Sequence, residues 1–265
     1  MSVRIIGIDC ATESKRLGLA LGEWDGHRVT VCRASVGGDE NTNPLETLFD
    51  WISNTASTTL LAIDAPLGWP IGLRTALNGH VAGACIDVAP HDMFRRLTDV
   101  CIKRRLGKTP LDVGADRIAR TAHTALAMLN ELAVRLGASI PLAWMPDALP
   151  NVSAIEVYPA ALLASYEIDA SLYKRPESAG QDSIGSNARA RLLGDVKARF
   201  PGAIGNEAKI ERARDSADAL DAILCVLAAG EFLAKRTIAP ADDRELGIAT
   251  IEGWIWAGER TTLRP

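Results

Sequence analysis

The sequence predicts an α/β domain built on a mixed five-stranded sheet flanked by helices. Three observations lead there: three apolar, β-branched runs within the first 36 positions, two isolated short runs that each reach an acid, Asp64 and Glu156, and strong helical periodicity between and after them.

The first run is Val3-Arg4-Ile5-Ile6-Gly7-Ile8-Asp9, rich in the β-branched residues that suit a half-buried pleated surface. Leu17 to Glu23 and His27 to Val36 follow, and Asp25-Gly26 between them is a hairpin signal. Asn43-Pro44 opens a helix through Ile52, with asparagine as cap and proline in the first turn. Leu60 to Asp64 is then a short buried strand, stopped by Pro66 and Gly68.

From Ile71 to Gly137 the pattern is helical, so a helical insertion at about 70–140 is expected after the fourth strand. It is strongest from Asp116 to Leu136, where Ile118, Ala122, Ala125, Leu129 and Leu132 keep helical spacing. A proline-bounded loop, Pro141 to Pro150, leads to the fifth strand, Ala154-Ile155-Glu156-Val157, which ends before Pro159. Lys174 to Asn187 is polar and glycine-containing and reads as a mobile loop. Two helices close the pattern, the second at about Lys209 to Lys235 and apolar on most faces after Asp221. Trp254 and Trp256 alternate as a terminal strand would. No linker or repeat interrupts the chain, so one domain over 1–265 is expected.

Composition narrows the class. With 48% apolar and 23% charged residues the chain carries the balance of an ordinary globular protein. The longest uninterrupted apolar run, Ala222 to Gly230, is far short of the roughly 20 residues that span a bilayer. The start shows no basic leader with an apolar core, and the five scattered cysteines form no C-x-x-C pair, so a soluble, cytoplasmic protein with reduced thiols is expected. A net charge of −4 argues against a surface that attracts polyanions everywhere. Between Arg95 and Arg120, however, Arg95, Arg96, Lys103, Arg104, Arg105, Lys108, Arg117 and Arg120 outnumber Asp99, Asp112 and Asp116, which fits either a solvated helix face or a phosphate-facing wall.

The chemistry lies in the acids. Asp9, Asp64 and Glu156 sit at strand ends, the edge of an α/β sheet where ligands bind. Asp218 and Asp221 lie one turn apart on a helix that is becoming apolar. Each acid alone reads as a turn former, a cap or a helix-dipole partner; their joint order carries the weight. Clustered carboxylates cannot all stay ionised unless a cation shares them, and hard oxygen donors suit Mg2+ or Mn2+. Two such ions about 4 Å apart could hydrolyse a phosphodiester with carboxylates as the sole protein ligands. Other motifs fail: Gly107-Lys108-Thr109 lacks the first glycine and the leading strand of a phosphate loop, no G-x-S-x-G elbow occurs, and His27, His80, His91 and His123 show no metal spacing. Arg95 and Asp99, four apart, are expected to form an intrahelical ion pair.

Six pieces in order give the chain a resemblance: Gly7-Ile8-Asp9, Ala62 to Gly68, Arg95-Arg96-Leu97-Thr98-Asp99, Glu156-Val157-Tyr158-Pro159, Asp218-Ala219-Leu220-Asp221-Ala222 and Glu252-Gly253-Trp254. The chain resembles, over nearly its whole length, the family called domain of unknown function 429, described as predicted nucleases with an RNase H-like fold. The resemblance implies a divalent-metal-dependent nuclease with nucleic acid as partner. It places Asp9, Asp64, Glu156 and Asp221 on the metal site and Arg95 and Asp99 on a neighbouring motif. Asp215 to Leu220 is also similar to the C-terminal pattern of RuvC-type junction resolvases, which shifts the helical acid pair one turn earlier, and Asp218 belongs to both alignments.

The expected catalytic set is therefore Asp9, Asp64, Glu156, Asp218 and Asp221, with Mg2+ or Mn2+ on Asp9, Asp64, Glu156 and Asp221, and substrate contacts from Arg95, Arg96, Asp99 and Arg105. An actin-like ATP-dependent phosphotransferase is the alternative, since Asp9-Cys10-Ala11-Thr12 follows a first strand and precedes a hairpin. It ranks lower because Glu156-Val157-Tyr158-Pro159 supplies no second glycine-rich phosphate loop. A catalytically silent interaction module, its acids serving only as caps and salt-bridge partners, is the third reading.

Overall fold

The computed structural model describes residues 2–40, 42–114, 116–176 and 184–260. Strands β1 (Val3–Asp9), β2 (Gly18–Trp24) and β3 (Val29–Val36) form an antiparallel meander. The turn between β2 and β3 closes on Asp25, whose Oδ1 accepts from His27 N and Arg28 N at 2.8 Å each, and Gly26 takes a φ of 104°. Helix α1 (Pro44–Ser53), capped by Asn43, carries the chain back to β4 (Thr58–Asp64), which lies parallel to β1. After the insertion, β5 (Val152–Glu156) adds parallel to β4. The order β3-β2-β1-β4-β5, an antiparallel meander extended by parallel crossovers, is the RNase H-like arrangement.

Strand parity divides the core. Val3 and Ile5 of β1, Leu60 and Ala62 of β4 and Ile155 of β5 pack on the face covered by α9 (Ala217–Leu233). Ile6, Ile8, Leu61, Ile63 and Ala154 pack on the opposite face, against α1 and α5 (Asp116–Leu136). In this register Asp9 pairs with Asp64, so the two acids end adjacent parallel strands and share the α9 face.

Strand glycines, normally a weakness in a sheet, explain how α9 approaches so closely. A Cβ on Gly7 would lie 2.1 Å from the Ala222 carbonyl oxygen, one on Gly18 2.0 Å from that of Asp218, and one on Gly22 2.4 Å from the Val226 side chain. Helix and sheet thus touch backbone to backbone where the helical acids sit.

The insertion departs from the uniform helical reading of Ile71 to Gly137. It consists of α2 (Ile71–Leu77), an irregular stretch at 78–89, α3 (Pro90–Phe94), α4 (Leu97–Leu106) and, after Gly107 in the left-handed conformation, α5. Pro90 at a helix start and Gly107 at a helix end impose the breaks. The single helix expected at Lys209 to Lys235 is likewise divided: a short 3-10 turn and α8 (Arg212–Asp215) precede α9, and extended Ser216 caps α9 through its hydroxyl. Of the expected loop Lys174 to Asn187, residues 177–183 lie outside the described residues, while Ile184 to Asn187 begin helix α7 (Ile184–Arg199) and Lys174 is ion-paired.

Helix α6 (Pro159–Ser165) follows β5, and α10 (Asp243–Glu252) precedes the last described segment. Trp254 and Trp256 are buried as expected, but that segment makes isolated bridges, Ile255 to Glu156 and Gly258 to Thr237, in place of a strand. The Trp254 indole N–H donates to the Ile238 carbonyl, and the Trp256 ring packs against Phe232 and Trp144. No described helix is long and apolar enough to cross a membrane. The cysteines are free thiols, with Cys10, Cys101 and Cys225 buried.

Candidate metal centre

Three acids converge. Asp9 at the end of β1, Asp64 at the end of β4 and Asp221 in the second turn of α9 offer carboxylate oxygens that all lie within 4.8 Å of one another. Asp221 is the most buried, being 1% exposed. Its Oδ1 accepts from the Tyr173 hydroxyl at 2.8 Å and its Oδ2 meets Lys174 Nζ at 2.6 Å. The Asp9 and Asp64 carboxylates, by contrast, accept no hydrogen bond and make no ion pair among the described residues.

The electrostatics follow from that grouping. Burial first, then Asp221 and Asp64, push the Asp9 carboxyl well above the usual carboxylate range. Burial and Asp221 push Asp64 up to about 8, with Lys174 opposing. Asp221 is raised by burial, while Lys174 and Tyr173 pull it back. Three carboxylates and one ammonium leave an excess of negative charge in a desolvated pocket, and all the donors are hard oxygens, so the residues fit a small divalent cation. Neighbouring Cys10 is no nucleophile: burial, then Asp9 and Asp64, push its thiol up to about 12.

Glu156 stands apart from the trio. It pairs in register with Ile63, not Asp64, and so has the parity of Ala154 on the face away from α9. Both its oxygens are taken: Arg96 Nη1 and Nη2 donate to Oε2 and Oε1 at 2.8 and 2.7 Å, and Leu67 N donates to Oε2 at 3.0 Å. The same guanidinium holds Asp99 at 2.9 Å, and Asp99 Oδ2 accepts from Arg96 N, closing a box at the start of α4. Burial disfavours the Arg96 charge, but Glu156 and then Asp99 outweigh it and its pKa rises. Glu156 itself is raised, because burial exceeds the opposing effect of Arg96.

The expected Arg95–Asp99 pair is therefore not formed. Asp99 turns inward to Arg96, and Arg95, in extended conformation between α3 and α4, pairs with Asp112 at 3.1 Å. Arg105 is exposed on α4 with Lys103 and Arg104 and does not line the cleft over the acids. Asp218, one turn before Asp221, is partly exposed, paired with Arg16 at 3.5 Å and close enough to help raise the Asp9 carboxyl.

The chain ends of the fold support this second network. Glu252 accepts from Ile71 N at 2.8 Å and Leu97 N at 2.7 Å, so one carboxylate caps both α2 and α4. Gly253, at φ 83°, leaves the space that Glu156 and Arg96 occupy: a Cβ there would lie 2.9 Å from Glu156 Oε2. Gly68 packs on the Glu252 backbone in the same way.

Above the acids lies a cleft of about 280 Å³. Asp9 and Asp64 line it together with the Arg96–Glu156 pair, Lys174 and Tyr158 also face it, and the insertion contributes Pro110, Leu111 and Ile118.

A family model described as "Protein of unknown function (DUF429)" matches residues 7–245. The chain belongs to that family. The DUF429 match runs from the glycine of β1 that admits α9 to the first turn of α10, and so encloses all three converging acids. No curated protein matches the chain. Among solved structures, one described as T. thermophilus RuvC in complex with Holliday junction substrate matches this DUF429 chain at 11% identity and a TM-score of 0.30, covering 84% of this chain and 91% of that one.

Sequence reasoning missed Tyr173, Lys174 and Arg189. Buried Arg189 donates to the carbonyls of Tyr173 at 3.0 Å, Arg214 at 2.7 Å and Asp215 at 3.2 Å, which ties the Tyr173–Lys174 turn to the start of α9. No periodicity or motif marks these residues; their roles exist only once α7 packs on α8, just ahead of α9.

Proposed function

We propose that this protein hydrolyses phosphodiester bonds in nucleic acid, using Mg2+ or Mn2+ held at Asp9, Asp64 and Asp221. The observation that carries the reading is the pair Asp9 and Asp64: two desolvated carboxylates in register, facing a cleft, with no hydrogen-bond donor or ion-pair partner among the described residues. Polar groups so placed are normally satisfied, and a shared cation satisfies both. When bound, the cation supplies a water of lowered pKa and neutralises charge on the phosphate.

The chain's residues then have separable tasks. Asp9 and Asp64 provide the charge that retains the cation, and Asp221, oriented by Tyr173, completes the set. Glu156 acts through position: with Arg96 it holds the Leu67 turn that follows Asp64. In the reaction a water oxygen bonds to phosphorus as the ester P–O bond breaks, and the proton lost by water ends on the leaving oxygen. The exposed run Lys103, Arg104 and Arg105 supports nucleic acid over a small ester, because phosphate contacts from lysine and arginine dominate polyanion affinity.

The test is cleavage of labelled RNA, DNA, hybrid and junction substrates in manganese by wild type and Asp64→Asn. Cleavage by wild type that the variant loses supports the reading and names the substrate class. No wild-type cleavage of any substrate refutes it.

A further inference from the structure

We infer that the site takes a single divalent cation and that Lys174 is its built-in second positive charge, placed to meet a phosphate oxygen beside the ion. This rests on the phosphodiester reading above, but replaces the two-ion arrangement that a row of acids invites.

Of the four carboxylates expected to bind metal the structure leaves two open, and the fifth site acid, Asp218, is paired with Arg16. Glu156 borders the same cleft, but Arg96 holds both its oxygens and Leu67 N donates to one of them, so it is not open to flank a second ion next to Asp64. Asp221 has one oxygen on Tyr173 and the other on Lys174. Two ions about 4 Å apart need a bridging carboxylate with further ligands on each side, and here both outer positions already hold a protein cation. The dimensions agree: donor atoms within 4.8 Å of one another nearly match the roughly 4.2 Å span across one octahedral ion with 2.1 Å bonds. So does the charge, since three carboxylates less one ammonium leave the two negative charges that one divalent ion neutralises.

Lys174 is positioned for more than charge balance. Its side chain is 60% exposed and lines the cleft, and Asp221 accounts for one of its three N–H donors. Its backbone neighbour Tyr173 is anchored twice, by its hydroxyl to Asp221 and by its carbonyl to Arg189, so the ammonium is delivered by a fixed turn.

Calorimetric titration of the full chain with Mn2+, with bound metal counted after dialysis, tests this in wild type, Lys174→Met, Lys174→Arg and Asp9→Asn/Asp64→Asn. Wild type is expected to bind one ion, Lys174→Met to bind it at least tenfold more tightly because a competing charge is gone, and Lys174→Arg to match wild type. Inorganic phosphate, titrated into the ion-loaded proteins, is expected to bind Lys174→Met at least tenfold more weakly than the other two lysine-site proteins. Two ions in wild type, unchanged or weaker Mn2+ binding by Lys174→Met, or equal phosphate affinity overturns the inference while leaving the metal-dependent reading intact. No Mn2+ binding by wild type, or full binding by the double variant, sinks the parent reading itself.

Discussion

Replacing Asp64 by asparagine should stabilise the metal-free protein at alkaline pH. Burial and Asp221 raise the Asp64 carboxyl from an ordinary 3.8 to about 8. A group whose pKa is raised by folding adds stability that is complete below its unfolded value, near pH 4, and is lost as pH rises through about 8. Four pH units at about 1.4 kcal/mol each set a ceiling of about 6 kcal/mol. The cleft admits water and the proton is shared among three carboxyls, which brings the expected effect to about 2 kcal/mol. Asparagine keeps the shape and carries no charge to desolvate. In chelator at pH 8, Asp64→Asn should therefore melt roughly 4–8 °C above wild type, using about 2–4 °C per kcal/mol for a chain near this size. At pH 4.5 the two should nearly coincide. Millimolar Mn2+ should raise the wild-type Tm and leave the variant where it was, since only a ligand of the folded state stabilises. Differential scanning calorimetry across pH measures all three. A variant less stable than wild type at pH 8 in chelator, or an equal Mn2+ shift in both proteins, refutes the reasoning.

Other perturbations follow from the same geometry. Gly7→Ala drives a methyl group to 2.1 Å from the Ala222 carbonyl and should cost about 3 kcal/mol in urea unfolding while abolishing the Mn2+-induced Tm shift, because α9 must lift Asp221 away from Asp9. Arg96→Met leaves Glu156 and Asp99 buried without their cation and should cost about 3–5 kcal/mol; Arg96→Lys should recover little, since a single ammonium cannot span both oxygens of Glu156. Arg104→Glu/Arg105→Glu, at exposed positions on α4, should leave Tm unchanged but weaken nucleic-acid binding and flatten its salt dependence by about two phosphate contacts; unchanged affinity at low salt removes this helix from the interface.

Much of the architecture was legible because it rests on local periodicity. The β-branched run to Asp9, the Asp25-Gly26 turn, the Asn43 cap and the 3.6-residue pattern of α5 each encode their element without reference to the rest of the chain. The breaks at 78–89 and at Ser216 were less legible, since apolar spacing continues across a cap and only the backbone conformation of Ser216 reveals that a new helix starts there. In the site, the acids were visible as residue types at strand ends, but their grouping was not. Asp9 and Asp64 meet because β1 and β4 are parallel and in register, and a slip of one residue would have brought Glu156 to the trio and sent Asp64 away.

By itself, then, the sequence determined the elements, their order and a set of acids at one edge of a sheet, because short-range sterics and hydrophobic period act within a few residues. Only the tertiary structure decided which acids at this cleft stay open and which are held by a neighbouring side chain. Glu156 and Asp99 are claimed by Arg96, and Asp221 by Tyr173 and Lys174, through contacts that span from 3 to 60 residues of chain. Charges interact through space over distances of a few ångströms, and the chain brings these groups that close only after the strand glycines have let α9 down onto the sheet.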